Sequence, residues 1–433
     1  MKIPEVLLVE VEHAPGSLAK MLTAVGECGV TVEGLQAQSR TQSLTLWELT
    51  LSLPEGDHSV YMDAINAVDC AHVVGTSDRV FTRHEGGKIH TRSRMSIDSL
   101  SKLRDVYTPG VARVCRAIEQ DPSLANRYTN LPRTVAIVTN GTAVLGLGDI
   151  GPLAGLPVME GKAALFQTLA GLSGVPILIE SHDPKVLIET VANIAPSFGA
   201  IQLEDIAAPA CFEVEEALQA RLDIPVLHDD QHGTAVVALA GVLSGMREVG
   251  MDPRKARIGQ VGLGAAGIGI GKLLTAYGVT NLIGTDLSEG ALAHYESFGG
   301  KRDSLEGVMA NADVIIATTG VRGLIKPEWV RPGQVVFALS NPDPEIEPIV
   351  ALKAGARFAA DGKNINNVLG FPGLFAGALN AEAKRFTPEM LIAAAETISA
   401  QARDGRLVPG PLKVSVHSAI TQAVADAAMA SNA

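Results

Sequence analysis

What this sequence has little of narrows it first. Cysteine occurs only at Cys28, Cys70, Cys115 and Cys211, with no C-x-x-C spacing. That pattern argues against a disulfide scaffold and reads as buried thiols in a reducing compartment. Positive charge is in deficit: 35 Lys and Arg against 47 Asp and Glu leave a formal net charge of −12. Nucleic acid and acidic membranes are therefore poor partners. No apolar signal core opens the chain, and no uncharged apolar run reaches the ~18 residues that a membrane span needs. A cytoplasmic protein is the expectation. What is present is a chain of 433 residues, 47% hydrophobic and 19% charged, rich in Ala and Gly as α/β proteins often are. That length predicts two or three domains.

The stretch from Ile201 to Ala235 holds two acidic pairs, Glu204-Asp205 and Asp229-Asp230. Each follows a short apolar run that reads as a buried strand, and Phe212 to Leu222 between them reads as an amphipathic helix. Strand, helix, strand is a βαβ unit, so both pairs converge at the carboxyl edge of a parallel sheet, where open α/β sheets place ligands. Either pair alone reads as a helix cap or a solvated loop. Together they repel unless a cation sits among them, and hard oxygen ligands suit Mg²⁺ or Mn²⁺. His228 and His232 flank the second pair and are expected to pack or hydrogen-bond rather than to bind metal.

Residues 1–85 read as a separate small domain. Strand Glu5–Val11, helix Ser17–Cys28, strands Val30–Ser39 and Leu44–Leu53, helix Val60–Val68 and strand Ala71–Gly75 follow in order, with Gly29 ending the first helix. This βαββαβ order, with the turn Pro15-Gly16-Ser17-Leu18-Ala19 after the first strand, resembles the ACT family of small-molecule sensor domains. A ferredoxin-like dimerisation module without a ligand is the alternative. Residues 83–94 read as a linker.

Residues 86–232 open with Tyr107-Thr108-Pro109-Gly110 before a helix, where a tyrosine by itself reads as packing. Gly146-Leu147-Gly148-Asp149-Ile150-Gly151 fits G-x-G-x-x-G, but Pro152 follows and no acid lies ~20 positions on, so it is not read as a dinucleotide site. The next helix is expected from about Met159, which puts Lys162 in its first turn. A cation is disfavoured there, so Lys162 either reaches for water or has its pKa lowered for use as a base.

Residues 233–433 carry a stronger fingerprint. Strand Ala256–Val261 runs into Gly262-Leu263-Gly264-Ala265-Ala266-Gly267 and a helix, and the next strand ends at Asp286. The glycines let backbone approach a pyrophosphate at the helix N-terminus, and Asp286 can accept the ribose hydroxyls of NAD. The 2′-phosphate of NADP would face Asp286 and Glu289, with no Arg or Lys between Lys272 and Lys301. Further strands end in Ser340-Asn341-Pro342 and precede Asn364-Ile365-Asn366-Asn367, where neutral amides suit a carboxylate substrate.

From about Ser93 onward the chain closely resembles the bacterial malic enzymes. The shared stretches are Tyr107-Thr-Pro-Gly-Val-Ala, Gly146-Leu-Gly-Asp-Ile-Gly-Pro, Met159-Glu-Gly-Lys, Leu203-Glu-Asp-Ile-Ala-Ala-Pro, His228-Asp-Asp-Gln-His-Gly-Thr-Ala, Ser340-Asn-Pro and Asn366-Asn367. The resemblance implies metal ligands Glu204, Asp205 and Asp230, general base Lys162 and general acid Tyr107. It also implies substrate contacts from Asn341, Asn367 and Asp229, with Asn341 also facing the cofactor. The implied reaction is oxidative decarboxylation of L-malate with Mg²⁺ or Mn²⁺; Asp286 makes NAD the expected cofactor, a homodimer or higher oligomer is expected, and the ACT-like residues 1–85 are expected to place the enzyme under a small effector. One departure stands out: larger malic enzymes carry a substrate-binding arginine where this chain has Ala143-Val144. A metal-free amino-acid dehydrogenase, a metal-bound malolactic or oxaloacetate-decarboxylating enzyme and an inactive ligand-sensing scaffold are the alternatives.

Overall fold

The computed structural model describes residues 4–52, 60–76, 79–144, 146–341, 343–362, 365–403 and 405–431; Pro342 and Asn364 lie outside them. Packing divides the chain into two units, Met1–Lys88 and Ile89–Ala433.

The first unit runs β1 (Pro4–Glu12), α1 (Ser17–Glu27), β2 (Thr31–Arg40), β3 (Leu44–Ser52), α2 (Val60–Asn66), β4 (Ala71–Thr76) and α3 (Arg79–His84). The four strands form one sheet in the order β2-β3-β1-β4, antiparallel throughout. Alternation along β1 sends Leu7, Val9 and Val11 to one face, where they meet Met21 and Val25 of α1 and Tyr61 and Ile65 of α2. Gly16, at φ 88°, takes the left-handed turn before α1, and Gly29, at φ 72°, the one after it.

The second unit opens with α4 (Leu100–Val106), α5 (Val111–Gln120) and α6 (Leu124–Tyr128). Next come β5 (Thr134–Thr139), α7 (Pro152–Ala170), β6 (Ser173–Leu178), α8 (Pro184–Ile194), β7 (Ala200–Leu203), α9 (Ala210–Arg221) and β8 (Val226–His228). These strands form a parallel sheet in the order β6-β5-β7-β8. A π-helical turn, Asp229–Gly233, leads into α10 (Thr234–Glu248).

Beyond it lie β9 (Ile258–Val261), α11 (Ala265–Ala276), β10 (Leu282–Thr285), α12 (Glu289–Ser297), β11 (Lys301–Arg302), α13 (Leu305–Asn311), β12 (Val314–Ala317), β13 (Val335–Ala338), α14 (Pro348–Lys353) and β14 (Phe358–Asp361). They build a second parallel sheet, β11-β10-β9-β12-β13-β14, the doubly wound order of dinucleotide-binding folds. Helices α15 (Phe371–Asn380), α16 (Pro388–Gln401) and α17 (Val414–Ser431) close the chain. Among the described residues no helix is long and apolar enough to cross a membrane.

Helix α10 is apolar on every side and buried from Ala235 to Met246 apart from Leu243. A helix apolar all round belongs inside a core. One continuous core accordingly joins Val135 and Ile137 of the first sheet, α10, and Ile258 and Val314 of the second. The division expected at 232/233 falls inside this shared core.

One expectation fails on the way to the site. The helix carrying Lys162 begins at Pro152, directly after Gly151, and not at Met159. Proline at a first helical position lacks only an N–H that would have no partner anyway, and its fixed φ suits the helix. Lys162 thus sits ten residues past the start at Pro152. The field of a helix N-terminus fades within the first turn, so it has no hold on this lysine.

Candidate functional site

The register of two adjacent strands builds the centre. Leu203 of β7 pairs with His228 of β8, in parallel. The next residues on each strand are Glu204-Asp205 and Asp229-Asp230, so the acidic pairs leave the sheet side by side. Glu204, Asp205 and Asp229 are buried, while Asp230 is partly exposed. One oxygen each from Glu204, Asp205 and Asp230 lie within 4.8 Å of one another. Two unit charges at that distance repel by about 3–4 kcal/mol at an effective dielectric near 20.

The backbone is shaped to hold them. Asp205 takes a left-handed conformation, φ 53°, and its N–H donates to Asp230 Oδ2 at 2.8 Å. Gln202 Nε2 donates to Glu204 Oε2 at 2.5 Å. Asp205 Oδ2 is buried with no hydrogen-bond partner among the described residues. Burial, with Asp230 adding to it, pushes the Asp205 carboxyl up to about 7 although Lys162 opposes the shift. Burial likewise drives Glu204 upward against the pull of Lys162. Crowded carboxylates with an orphaned oxygen fit a hard divalent cation of the Mg²⁺ or Mn²⁺ kind.

Lys162 reaches this cluster from α7. Its Nζ lies 2.5 Å from Asp229 Oδ2 and 3.0 Å from Glu204 Oε1. Burial alone would lower its pKa, but Asp229, Glu204 and Asp230 outweigh burial and hold it above the ordinary lysine range. Asn367 joins from the loop before α15: its Nδ2 lies 3.4 Å from Asp229 Oδ2, and its Oδ1 accepts from Thr234 Oγ1 at 3.1 Å. Gly233 is required beside them, since a Cβ there would fall 1.9 Å from Asp229 Oδ1. Ala143 stands next to the cluster, donating its N–H to the Asp205 carbonyl at 3.0 Å. No cationic side chain is offered from that position.

Two expected members stand apart. Tyr107 is 67% exposed at the end of α4, and its hydroxyl has no hydrogen-bond partner among the described residues. Asn341, past the end of β13, donates to the carbonyl of Gly362 at 3.0 Å instead of reaching the cluster.

In the second sheet β9 runs into Gly262, at φ 89°, and Gly264 caps α11 without any side-chain hydrogen bond. The first N–H groups of α11, from Ala265 and Ala266 onward, are thus free to face an anion. Gly267 packs so closely that a Cβ would fall 2.0 Å from the Gly262 carbonyl oxygen. Asp286, at the end of β10, accepts from Leu263 N at 2.7 Å and from Ser288 N at 2.8 Å. Each oxygen keeps a lone pair for a ribose hydroxyl. A cation missed in the sequence lies close by. Strand β11 runs parallel to β10 and sets Arg302 opposite Gly284. Arg302 pairs with Glu289 at 2.9 Å and with Glu296 at 2.7 Å. The negative charge expected from Glu289 is therefore matched by a guanidinium.

Residues 87–187 match the family model described as "Malic enzyme, N-terminal domain". The chain is 50% identical to NAD-dependent malic enzyme 1 of Bacillus subtilis over 98% of its own length and 97% of that protein. The chain belongs to the malic enzyme family. It is also 41% identical to the NAD-dependent malic enzyme of Geobacillus stearothermophilus, over 95% of this chain and 91% of that one. Among solved structures, the malic enzyme of Pyrococcus horikoshii superposes with a TM-score of 0.76 at 40% identity, covering 80% of this chain and 88% of that chain.

Proposed function

We propose that this malic enzyme oxidises and decarboxylates L-malate to pyruvate and CO₂ with NAD and a divalent cation, and that residues 1–85 bind a small effector as an ACT-like domain. The reading rests above all on Lys162, buried with its amine between Glu204 and Asp229 beside the three-carboxylate cluster. NAD is favoured over NADP by the relatives' cofactor and by Asp286 at the ribose position. The three domains of the sequence reading, 1–85, 86–232 and 233–433, are kept as functional divisions: sensor, substrate and metal, dinucleotide.

Glu204, Asp205 and Asp230 would hold Mg²⁺ or Mn²⁺. When bound, the cation supplies a Lewis acid that acidifies the C2 hydroxyl and steadies the enolate left by CO₂. Asp229, Glu204 and Asp230 hold the proton on Lys162, and with the cluster's charge neutralised the amine would serve as the base. Lys162 takes the C2 hydroxyl proton as hydride leaves C2 for the nicotinamide, giving oxaloacetate. Loss of the C4 carboxylate as CO₂ leaves the enolate of pyruvate, and Tyr107 donates a proton to C3 to form pyruvate. Lys162 then returns its proton to Tyr107, so one proton and one hydride have moved. Asn367 and Asp229 orient the substrate from one side, and Asn341 orients it from the nicotinamide side.

Tyr107 must reach the cluster for this cycle. Met95, Ile97, Leu100 and Leu103 beside it are also exposed. A homo-oligomer in which this arm docks on a second copy would cover them and supply the acid.

The test is to incubate purified protein with L-malate, Mn²⁺ and NAD⁺. NADH and pyruvate should appear in equal amounts. Lactate without net NADH would replace this reading with a malolactic one, and amination of a 2-oxo acid without metal would replace it with an amino-acid dehydrogenase.

A further inference from the structure

A buried carboxylate behind the metal cluster has no place in the chemistry above. Glu215 lies on α9, only 3% exposed. Its neighbours on the inward face are Cys211, Val214 and Leu218, an apolar stripe in which a glutamate is out of pattern. Both its oxygens face the π-helical turn. Oε1 accepts the backbone N–H of His228 at 2.8 Å, and Oε2 lies 3.0 Å from Gln231 Nε2 and 3.0 Å from His232 Nε2. One side chain thus grips the residue before the turn and two residues within it.

The turn is gripped from the other side as well. Gly269 of α11 presses on it so tightly that a Cβ would fall 2.3 Å from the Gln231 carbonyl oxygen. Between these two grips sit Asp229, bonded to Lys162, and Asp230, bonded to the Asp205 N–H. A π turn has a wider, less regular ladder than an α-helix and is uncommon without outside support. A buried carboxylate also needs its donors, because leaving them unpaired is expensive.

We propose that Glu215 is a positioning residue for the metal centre: acting through His228, Gln231 and His232, it fixes the π turn so that Asp230 faces the cation and Asp229 faces Lys162. The inference rests on the metal site proposed above. Glu215 lies outside the three-carboxylate cluster, so its loss should show first as weaker metal binding. Partners behind a metal's ligands are commonly worth about 10–100-fold in affinity.

The experiment reads free Mn²⁺ by electron paramagnetic resonance during titration of the full chain, at a temperature where circular dichroism shows each variant folded. Glu215→Gln keeps the shape but turns an acceptor into a donor facing donors, and should weaken Mn²⁺ binding by about 10-fold or more. NADH binding, followed by its fluorescence, should stay within about twofold of wild type, because Glu215 makes no hydrogen bond to Gly262–Gly267 or Asp286 among the described residues. Glu215→Asp, which keeps the charge, should recover part of the loss. Gln231→Ala removes one of the three donors and serves if Glu215→Gln does not fold; a several-fold loss is expected. Asp230→Asn is the control. If Asp230→Asn abolishes Mn²⁺ binding while Glu215→Gln and Gln231→Ala bind it as wild type does, the positioning role is wrong. If Asp230→Asn also binds normally, the metal assignment itself fails.

Discussion

The ammonium of Lys162 lies 4.6 Å from the centre of the Phe371 ring, and that ring is itself buried at the start of α15. An aromatic face attracts a cation and keeps bulk water from it, so the neighbouring carboxylates, not solvent, govern this amine. Lys162→Ala should reduce malate oxidation by on the order of 10²-fold or more, the usual scale for a positioned base. Phe371→Leu leaves the base in place and should cost about tenfold or less. Steady-state kcat for both variants is the measurement; equal losses would mean that pocket shape matters more than the amine.

Tyr107 offers a sharper test, because its exposure sets it apart from the cluster. Tyr107→Phe should retain more of hydride transfer and decarboxylation than of enol protonation, so enol should escape before pyruvate forms. Coexpression of Tyr107→Phe with Lys162→Ala should restore activity if the tyrosine serves a second copy. Random pairing in a dimer gives about a quarter of wild-type activity. No recovery in chains shown to have mixed would assign Tyr107 to its own subunit.

Metal dependence is checked directly. Asp230→Ala should abolish both oxidation and decarboxylation, and chelation should do the same to the wild type. Normal turnover by chelated protein without added metal would leave the cluster a structural feature only.

Much of this site is legible in the sequence for a physical reason. Parallel neighbouring strands end level, so two acids after each apolar run had to meet once β7 and β8 paired. The glycines of Gly262–Gly267 and the acid at Asp286 carry their own local rules. What escapes the sequence depends on distant contacts. Pro152 reads as a breaker until it is seen to start α7. Arg302 lies beyond the loop where a phosphate-binding cation would be sought, and only the pairing of β11 with β10 brings it near. Glu215 looks like one more charge on an amphipathic helix, although its spacing from Cys211, Val214 and Leu218 is the signal that it points inward.

Arg302 changes how cofactor choice should respond to mutation. Asp286 would repel the 2′-phosphate of NADP by about 4 kcal/mol per unit charge at ~4 Å and an effective dielectric near 20, and by less where water screens it. Asp286→Ser combined with Glu289→Gln removes that repulsion and releases Arg302 from one partner. The pair should raise kcat/KM with NADP⁺ and lower it with NAD⁺ at fixed metal and pH. A wild type that prefers NADP⁺ would mean that Asp286 does not face the ribose.

Regulation is the remaining prediction. An effector bound near the Pro15-Gly16-Ser17 turn should shift malate affinity or rate by a coupling of about 1–3 kcal/mol. Deleting residues 1–88 should remove the response and leave Mn²⁺ binding intact, read by the same titration. A truncated chain that still responds fully would relocate the effector to the second unit.

Helix α10 also decides where this chain can be recombined. A junction at 232/233, natural as it looks from the motifs, would cut within the π-helical turn that carries Asp229 and Asp230 and leave a largely apolar helix facing water in one fragment. Exchanging whole dinucleotide modules between relatives at that point should yield insoluble products. The boundary between the two units falls at Lys88/Ile89, so residues 1–88 and the remainder of the chain are the pieces to exchange whole.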